Sequence, residues 1–288
     1  MTGLESIENN DPEIEFLLID DVKNTFEEPK AQRPRPGVKS DLNRMLSEFD
    51  QEFTIESQKN SLSIEALNAQ ARDNFTKGNY KAATEIYQQI LTTYHYNLEI
   101  LFDTYKNLGN IALTTSDFDG AEENFNKAHT IDSKSDILFV NYGILEIQRK
   151  NLAKAVERFR QAIEINSKND KAWVGLALVH REFNDHELSW ADLHRALDEN
   201  PGNETALALS IEWGVSDGRL GSSANFLKNY LANVNDSTEM RLALSKILYC
   251  QGDYLQARET ILPLLKNQST NREAQQVFNL IELELTKV

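Results

Sequence analysis

The sequence is poor in the residues that staple a chain or seat it in a membrane. Its one cysteine, Cys250, can form no internal disulfide, and a lone thiol with no designated base reads as inert. Long apolar runs are missing too. The longest near the N-terminus is Phe16-Leu17-Leu18-Ile19, far short of the ~20 residues of a membrane span. Neither a signal-peptide pattern nor a lipidation motif is evident, so a cytoplasmic location without direct membrane insertion is expected. Positive charge is scarce: 30 Lys+Arg stand against 45 Asp+Glu, a formal net charge of −15. Such a chain repels phosphate backbones and anionic lipid, and no nucleic-acid partner is expected.

Chemistry-bearing constellations are also lacking. The histidines are His95, His129, His180, His186 and His194. None has metal-site spacing, and His186 and His194, eight apart on one helix, have no third ligand nearby. There is no phosphate-binding P-loop and no G-x-G-x-x-G after a strand. No catalytic residue, metal or cofactor is expected, and the chain is not expected to be an enzyme.

What is present falls into three parts. Residues 1–39 read as a disordered acidic tail with a Pro/Arg-rich linker, Pro29 to Gly37. Residues 1–60 hold 14 Asp+Glu against 7 Lys+Arg. Within the tail, Phe16, Leu17, Leu18 and Ile19 form an apolar island that suits a short linear motif. Residues 40–63 read as an amphipathic helix and connector: Leu42, Met45, Leu46, Phe49 and Phe53 share one stripe, suited either to shielding the first repeat or to docking a partner.

From residue 64 the chain is helical and periodic. A period of 34 aligns residues 102, 136, 170, 204, 238 and 272, with an earlier copy at 64 set off by four extra residues, 98–101. The copy from 102 reads Tyr105-x2-Leu108-Gly109, then Ala121-x3-Phe125. The copy from 136 reads Phe139-x2-Tyr142-Gly143, then Ala155-x3-Phe159. The copy from 170 reads Trp173-x2-Leu176-Ala177, then Ala196 and Pro201. The outer copies keep Gly78-Asn79-Tyr80 with Ala83-x3-Tyr87, and Gly252-Asp253-Tyr254 with Ala257-x3-Ile261. The copy from 204 is degenerate, with Ser210-Ile211 in place of Leu-Gly. This pattern resembles the tetratricopeptide repeat family.

The resemblance implies an all-α fold: a right-handed α-solenoid of about six helical hairpins, 64–97, 102–135, 136–169, 170–203, 204–237 and 238–271, closed by a capping helix over 272–286. Small residues such as Gly109, Gly143, Ala121 and Ala155 let backbones cross closely, while Phe125, Phe159 and Trp173 fill the space between helices. One hairpin cannot bury its own apolar face, so the units stack.

The resemblance also implies a concave groove that binds extended or helical peptide segments of one or more partner proteins. Lys106, Asn110, Asn141 and Lys171 have the types and positions of the family's carboxylate clamp, where ammonium and amide groups converge on one anion. The Arg such a clamp uses is replaced by Gly175. Ile137, Val140, Ile144 and Ile147, extended by Val174 and Leu178, form a strip expected to be an exposed apolar patch, unless the next inner helix covers it. The expected ligand is therefore a peptide with apolar anchors and an acidic flank, a description that the chain's own Glu13–Asp21 also meets. The expected function is a scaffold or adaptor of the co-chaperone kind. The alternative is a regulatory subunit or peptide sensor that controls a partner enzyme in trans.

Overall fold

The computed structural model describes residues 62–267 and 271–287, and among these every regular element is an α-helix. The readings for the acidic tail, the Phe16–Ile19 motif and the amphipathic helix lie outside the described residues. The described helices form six hairpins and a final single helix. They are α1 (Leu62–Thr76) with α2 (Tyr80–Thr93), α3 (Leu98–Thr114) with α4 (Phe118–Ile131), and α5 (Asp136–Gln148) with α6 (Leu152–Ile165). Then come α7 (Asp170–Glu182) with α8 (His186–Glu199), α9 (Glu204–Ser216) with α10 (Leu220–Asn233), and α11 (Thr238–Cys250) with α12 (Tyr254–Asn267), followed by α13 (Arg272–Leu285). Helices α1–α8 belong to one compact unit and α9–α13 to another.

Local chemistry sets where each helix begins. The side chains of Ser135, Asn169, Asn203, Ser237 and Asn271 each accept a hydrogen bond from the backbone N–H three residues on. Each cap satisfies one orphan donor of a first helix and is worth about 1 kcal/mol. Helix α3 starts one turn early. Asn97 caps it through the Ile100 N–H, so the extra residues 98–101 lengthen the helix instead of forming a loop.

The hairpin turns are built alike. After α1, the Gly78 N–H donates to the Phe75 carbonyl at 2.9 Å and the Asn79 N–H to the Asn74 carbonyl at 2.8 Å. The same pair of bonds closes the turns at Ser116, Lys150, Asn184, Gly218 and Gly252. This termination needs one left-handed residue, and all six have φ between 58° and 78°.

In the α1–α8 unit the first helices touch one another, α3 against α5 and α5 against α7, while α2, α4 and α6 each pack on their own partner and on the next first helix. The first helices thus make an inner layer. Nine of thirteen residues are buried in α5 and nine of thirteen in α7, against three of fourteen in α4 and three of fourteen in α6. The layers meet where rings press on glycines. A Cβ at Gly109 would stand 2.3 Å from Phe125 Cε1, and one at Gly143 would stand 2.6 Å from Phe159 Cε1. Trp173 departs from expectation. It is only partly buried, because its Nε1–H reaches outward to the Ser167 carbonyl at 3.0 Å.

In the α9–α13 unit the crossings are made by hydroxyls. Ser223 Oγ donates to the Ser210 carbonyl at 2.5 Å and Ser245 Oγ to the Ala257 carbonyl at 3.0 Å. A Cβ at Gly214 would lie 2.1 Å from Ser223 Oγ. Helix α13 packs on α11 and α12 through Ala274, Val277 and Ile281, with Arg272, Gln275 and Gln276 on its outer side.

Candidate functional site

Helices α3, α5 and α7 carry all ten of the groove residues read from the sequence, within one compact unit. Lys106, on α3, is buried, with Nζ 2.8 Å from Asp103 Oδ1 and 5.8 Å from the centroid of the Phe102 ring. Lys171 is buried in the first turn of α7. Asn110 on α3 is 1% exposed and Asn141 on α5 is 0% exposed, and neither the amide oxygen nor the amide nitrogen of either side chain has a hydrogen-bond partner. A buried polar group left unserved costs about 1–3 kcal/mol, so two such amides on one layer demand an explanation. An extended peptide backbone carries the complementary groups, since every residue other than proline has one N–H that suits an amide oxygen and one carbonyl that suits an amide nitrogen.

Sequence reasoning missed Asn107, whose Oδ1 is likewise buried and unpartnered. It stands 34 residues before Asn141, and that spacing is the signal that could have found it. The missing clamp arginine has a steric cause. A Cβ at Gly175 would lie 2.3 Å from Phe159 Cε1, so no side chain fits there while the ring holds its place.

The apolar strip needs correction. Val140, Ile144, Ile147, Val174 and Leu178 are buried and Ile137 is partly buried, so they are not an exposed patch. Residues Val140 to Ile147 are buried without a break, over more than two turns of α5. Close packing of first helix on first helix consumes positions that a lone hairpin would leave open. Phe139, the leading aromatic of the copy from 136, is only partly buried.

The wall between hairpins is polar and fully engaged. Arg149, at the end of α5, donates to Glu122 at 2.8 Å, to Asp119 at 3.1 Å and to the Phe118 carbonyl at 3.2 Å. Asp136 accepts from the amides of Asn166 at 2.7 Å and Asn169 at 2.9 Å. Tyr142 donates its hydroxyl to Asn126 Oδ1 at 2.7 Å, and burial pushes its pKa up to about 12, so it remains a donor at any ordinary pH. These ties fix the rotation of α5 and hence the direction of Asn141.

Groups with reactive chemistry sit elsewhere. Burial pushes the Cys250 thiol up to about 11, which suppresses the thiolate. His180 Nδ1 lies 2.6 Å from Asp192 Oδ2 between α7 and α8. Burial raises the Asp192 carboxyl above its ordinary value, only partly offset by the His180 hydrogen bond. Among the described residues no cluster of His, Cys, Asp and Glu could hold a metal ion, and no helix is long and apolar enough to cross a membrane.

Residues 143–204 match the profile of the tetratricopeptide repeat family. No curated protein matches the chain by sequence. Among solved structures, that of PilW, a widely conserved type IV pilus biogenesis factor, is 21% identical and covers 76% of this chain and 99% of its own, with a TM-score of 0.51. Pseudomonas aeruginosa PilF is 15% identical over 74% of this chain and 95% of its own, with a TM-score of 0.50. A thermophilic repeat protein of Thermus thermophilus is 16% identical over 64% of this chain and 98% of its own, also at 0.50. At these identities the likeness is one of fold.

Proposed function

We propose that the chain, with the all-α helical-repeat fold and a tetratricopeptide match over residues 143–204, is a cytoplasmic scaffold or adaptor, without catalysis of its own, which holds a segment of a partner protein on the inner face of α3, α5 and α7. Stacked helical repeats present extended concave surfaces of this kind and mediate contact between proteins. The observation that carries the reading is the pair of fully buried, unpartnered amides of Asn110 and Asn141. Lys106 and Lys171 on the same layer favour an acidic flank on the ligand.

The test is affinity capture from native extract with the full chain and with Lys106→Met/Lys171→Met, whose apolar stems keep the packing. Circular dichroism confirms that both are folded. Loss of the captured proteins from the double variant is the expected result. Capture of the same proteins in the same amounts would move the binding surface away from this face.

A further inference from the structure

We propose that the α9–α13 unit carries a binding surface of its own, on α11 and α13, that takes a partner segment joining apolar anchors to a basic flank. This goes beyond the face of α3, α5 and α7 and does not depend on it.

The apolar part is Leu280 and Leu283 on α13, which are 36% and 53% exposed. At i and i+3 they share one stripe of the helix with Glu273, seven residues before Leu280. This is not the side on which a second helix would pack. The residues of α13 in phase with Tyr105 and Gly109 are Gln275 and Asn279. Gly109 is where α3 receives the ring of its second helix. On α13 that side is polar and exposed, and Gln275 Nε2 donates to Asn279 Oδ1 at 3.0 Å. The leucines stand on the neighbouring stripe.

The repeat says what that stripe faces. Leu280 is in phase with Lys246 on α11, and Leu283 with Tyr249. Helices α11 and α13 pack on each other, with α12 against both. Lys246 Nζ pairs with Glu273 across them, so the two stripes turn to the same side. The same phase runs back to Asn110 and Ile144, which makes this the inner face of its own unit.

Its charge is the reverse of that on α7. The place of Lys171 is taken by Glu239 on α11 and by Glu273 on α13. Glu239 is exposed. It accepts a hydrogen bond from Ser237 at 2.7 Å and forms no ion pair among the described residues. Lys246, the lysine on this face, is buried and held by Glu273. An incoming segment therefore meets carboxylates at one end of the face and leucines at the other, which suits a Lys or Arg beside apolar side chains. The stripe from Glu273 to Leu283 is about 15 Å long, and an extended segment covers that with about five residues. A ligand of this kind does not compete with an acidic one for α3, α5 and α7, so one chain holds two partners of opposite charge.

The experiment pans a phage library of random decapeptides on the full chain. Enriched sequences are made as fluorescent peptides and titrated against the full chain and three full-chain variants, Leu280→Asp/Leu283→Asp, Glu239→Lys and Lys106→Met/Lys171→Met. Circular dichroism and urea midpoints confirm that each variant is folded, and the substituted leucines and glutamate are exposed. We expect a class of peptides that joins apolar residues to Lys or Arg. Its affinity should fall at least tenfold in Leu280→Asp/Leu283→Asp and at least threefold in Glu239→Lys, and stay unchanged in Lys106→Met/Lys171→Met. Enrichment without such a class overturns the proposal, as does equal binding of that class to the wild type and to Leu280→Asp/Leu283→Asp. Loss of binding in the lysine variant alone assigns the peptides to the other face and overturns it too. Failure of the capture experiment above counts against the face of α3, α5 and α7 and leaves this result standing.

Discussion

The hairpins between residues 98 and 199 and those between 204 and 267 solve the same two problems by different means. Where two helices cross, the α3–α4 and α5–α6 hairpins press a phenyl ring on a glycine, Phe125 on Gly109 and Phe159 on Gly143. The α9–α10 and α11–α12 hairpins use a buried serine hydroxyl on a carbonyl. Where the chain reverses, the first group puts Ser116, Lys150 and Asn184 in the left-handed region, at φ of 65°, 62° and 58°, whereas the second puts Gly218 and Gly252 there, at 70° and 78°. A side chain in that region costs about 1–2 kcal/mol. The strain is thus carried where ring burial is large and avoided where the crossing rests on one modest hydrogen bond. Stability is drawn from non-local packing in one group and from relaxed local geometry in the other.

The sharpest way to break this comparison is to remove its key on each side. Phe159→Ala leaves a ring-sized cavity beside two glycines and should cost about 3–5 kcal/mol, while Ser223→Ala should cost about 0.5–1.5 kcal/mol. Urea midpoints for the two variants measure the difference, and equal losses would dissolve the contrast. A finer cut exchanges the turns. Lys150→Gly should stabilise by roughly 0.5–1 kcal/mol and Gly252→Ala should destabilise by about 1 kcal/mol. A Cβ at Gly252 meets nothing within 4 Å, so backbone strain alone sets that loss. Opposite signs in thermal melts are the expected outcome.

The smallest effect concerns Asp192. Its carboxyl is raised by burial above the ordinary 3.8, so between 3.8 and its raised value the folded chain binds more protons at this site than the unfolded chain. The site's stabilising contribution is full below 3.8 and is lost as pH rises through the folded value. Asp192→Asn removes that dependence. The stability gap between wild type and variant should therefore change in the wild type's disfavour from pH 3.5 to 6, by less than the Ser223→Ala effect. A gap that is constant with pH would contradict the burial argument.

Much of this fold is legible in the sequence because it follows from short-range rules repeated in phase. The Ala-x3-Phe spacing marks the rings of Phe125 and Phe159, and the glycines opposite them mark the crossings. The left-handed turns are legible only where glycine stands at them, at Gly78, Gly218 and Gly252. Lys150 in the equivalent place carries no such mark, because the hydrogen bonds around it, not its own preference, hold it there. The four extra residues 98–101 fall outside the 34-residue period, and the Asn97 cap is what makes them the first turn of α3. The candidate site was legible in its residue types and not in its exposure. Whether Val140 or Ile144 meets solvent depends on how closely α3, α5 and α7 approach, and that distance is set by Gly143, Gly175 and the Phe159 ring together. Asn110 and Asn141 were readable as polar groove residues, but their want of partners is a property of the assembled layer.

The Phe159 ring lies between Gly143 of its own hairpin and Gly175 of the next, with a Cβ at either position falling within 2.6 Å of it. The 34-residue copies are consequently not freely exchangeable by recombination. Excising residues 170–203 in frame would move Leu209, 34 positions beyond Gly175, into register with the ring, where even a methyl group has no room. Excising 136–169 would instead bring Gly175 opposite Phe125, a ring that already packs on a glycine. The gene can shed one copy far more readily than its neighbour, and the order of the repeats is written into a single aromatic side chain.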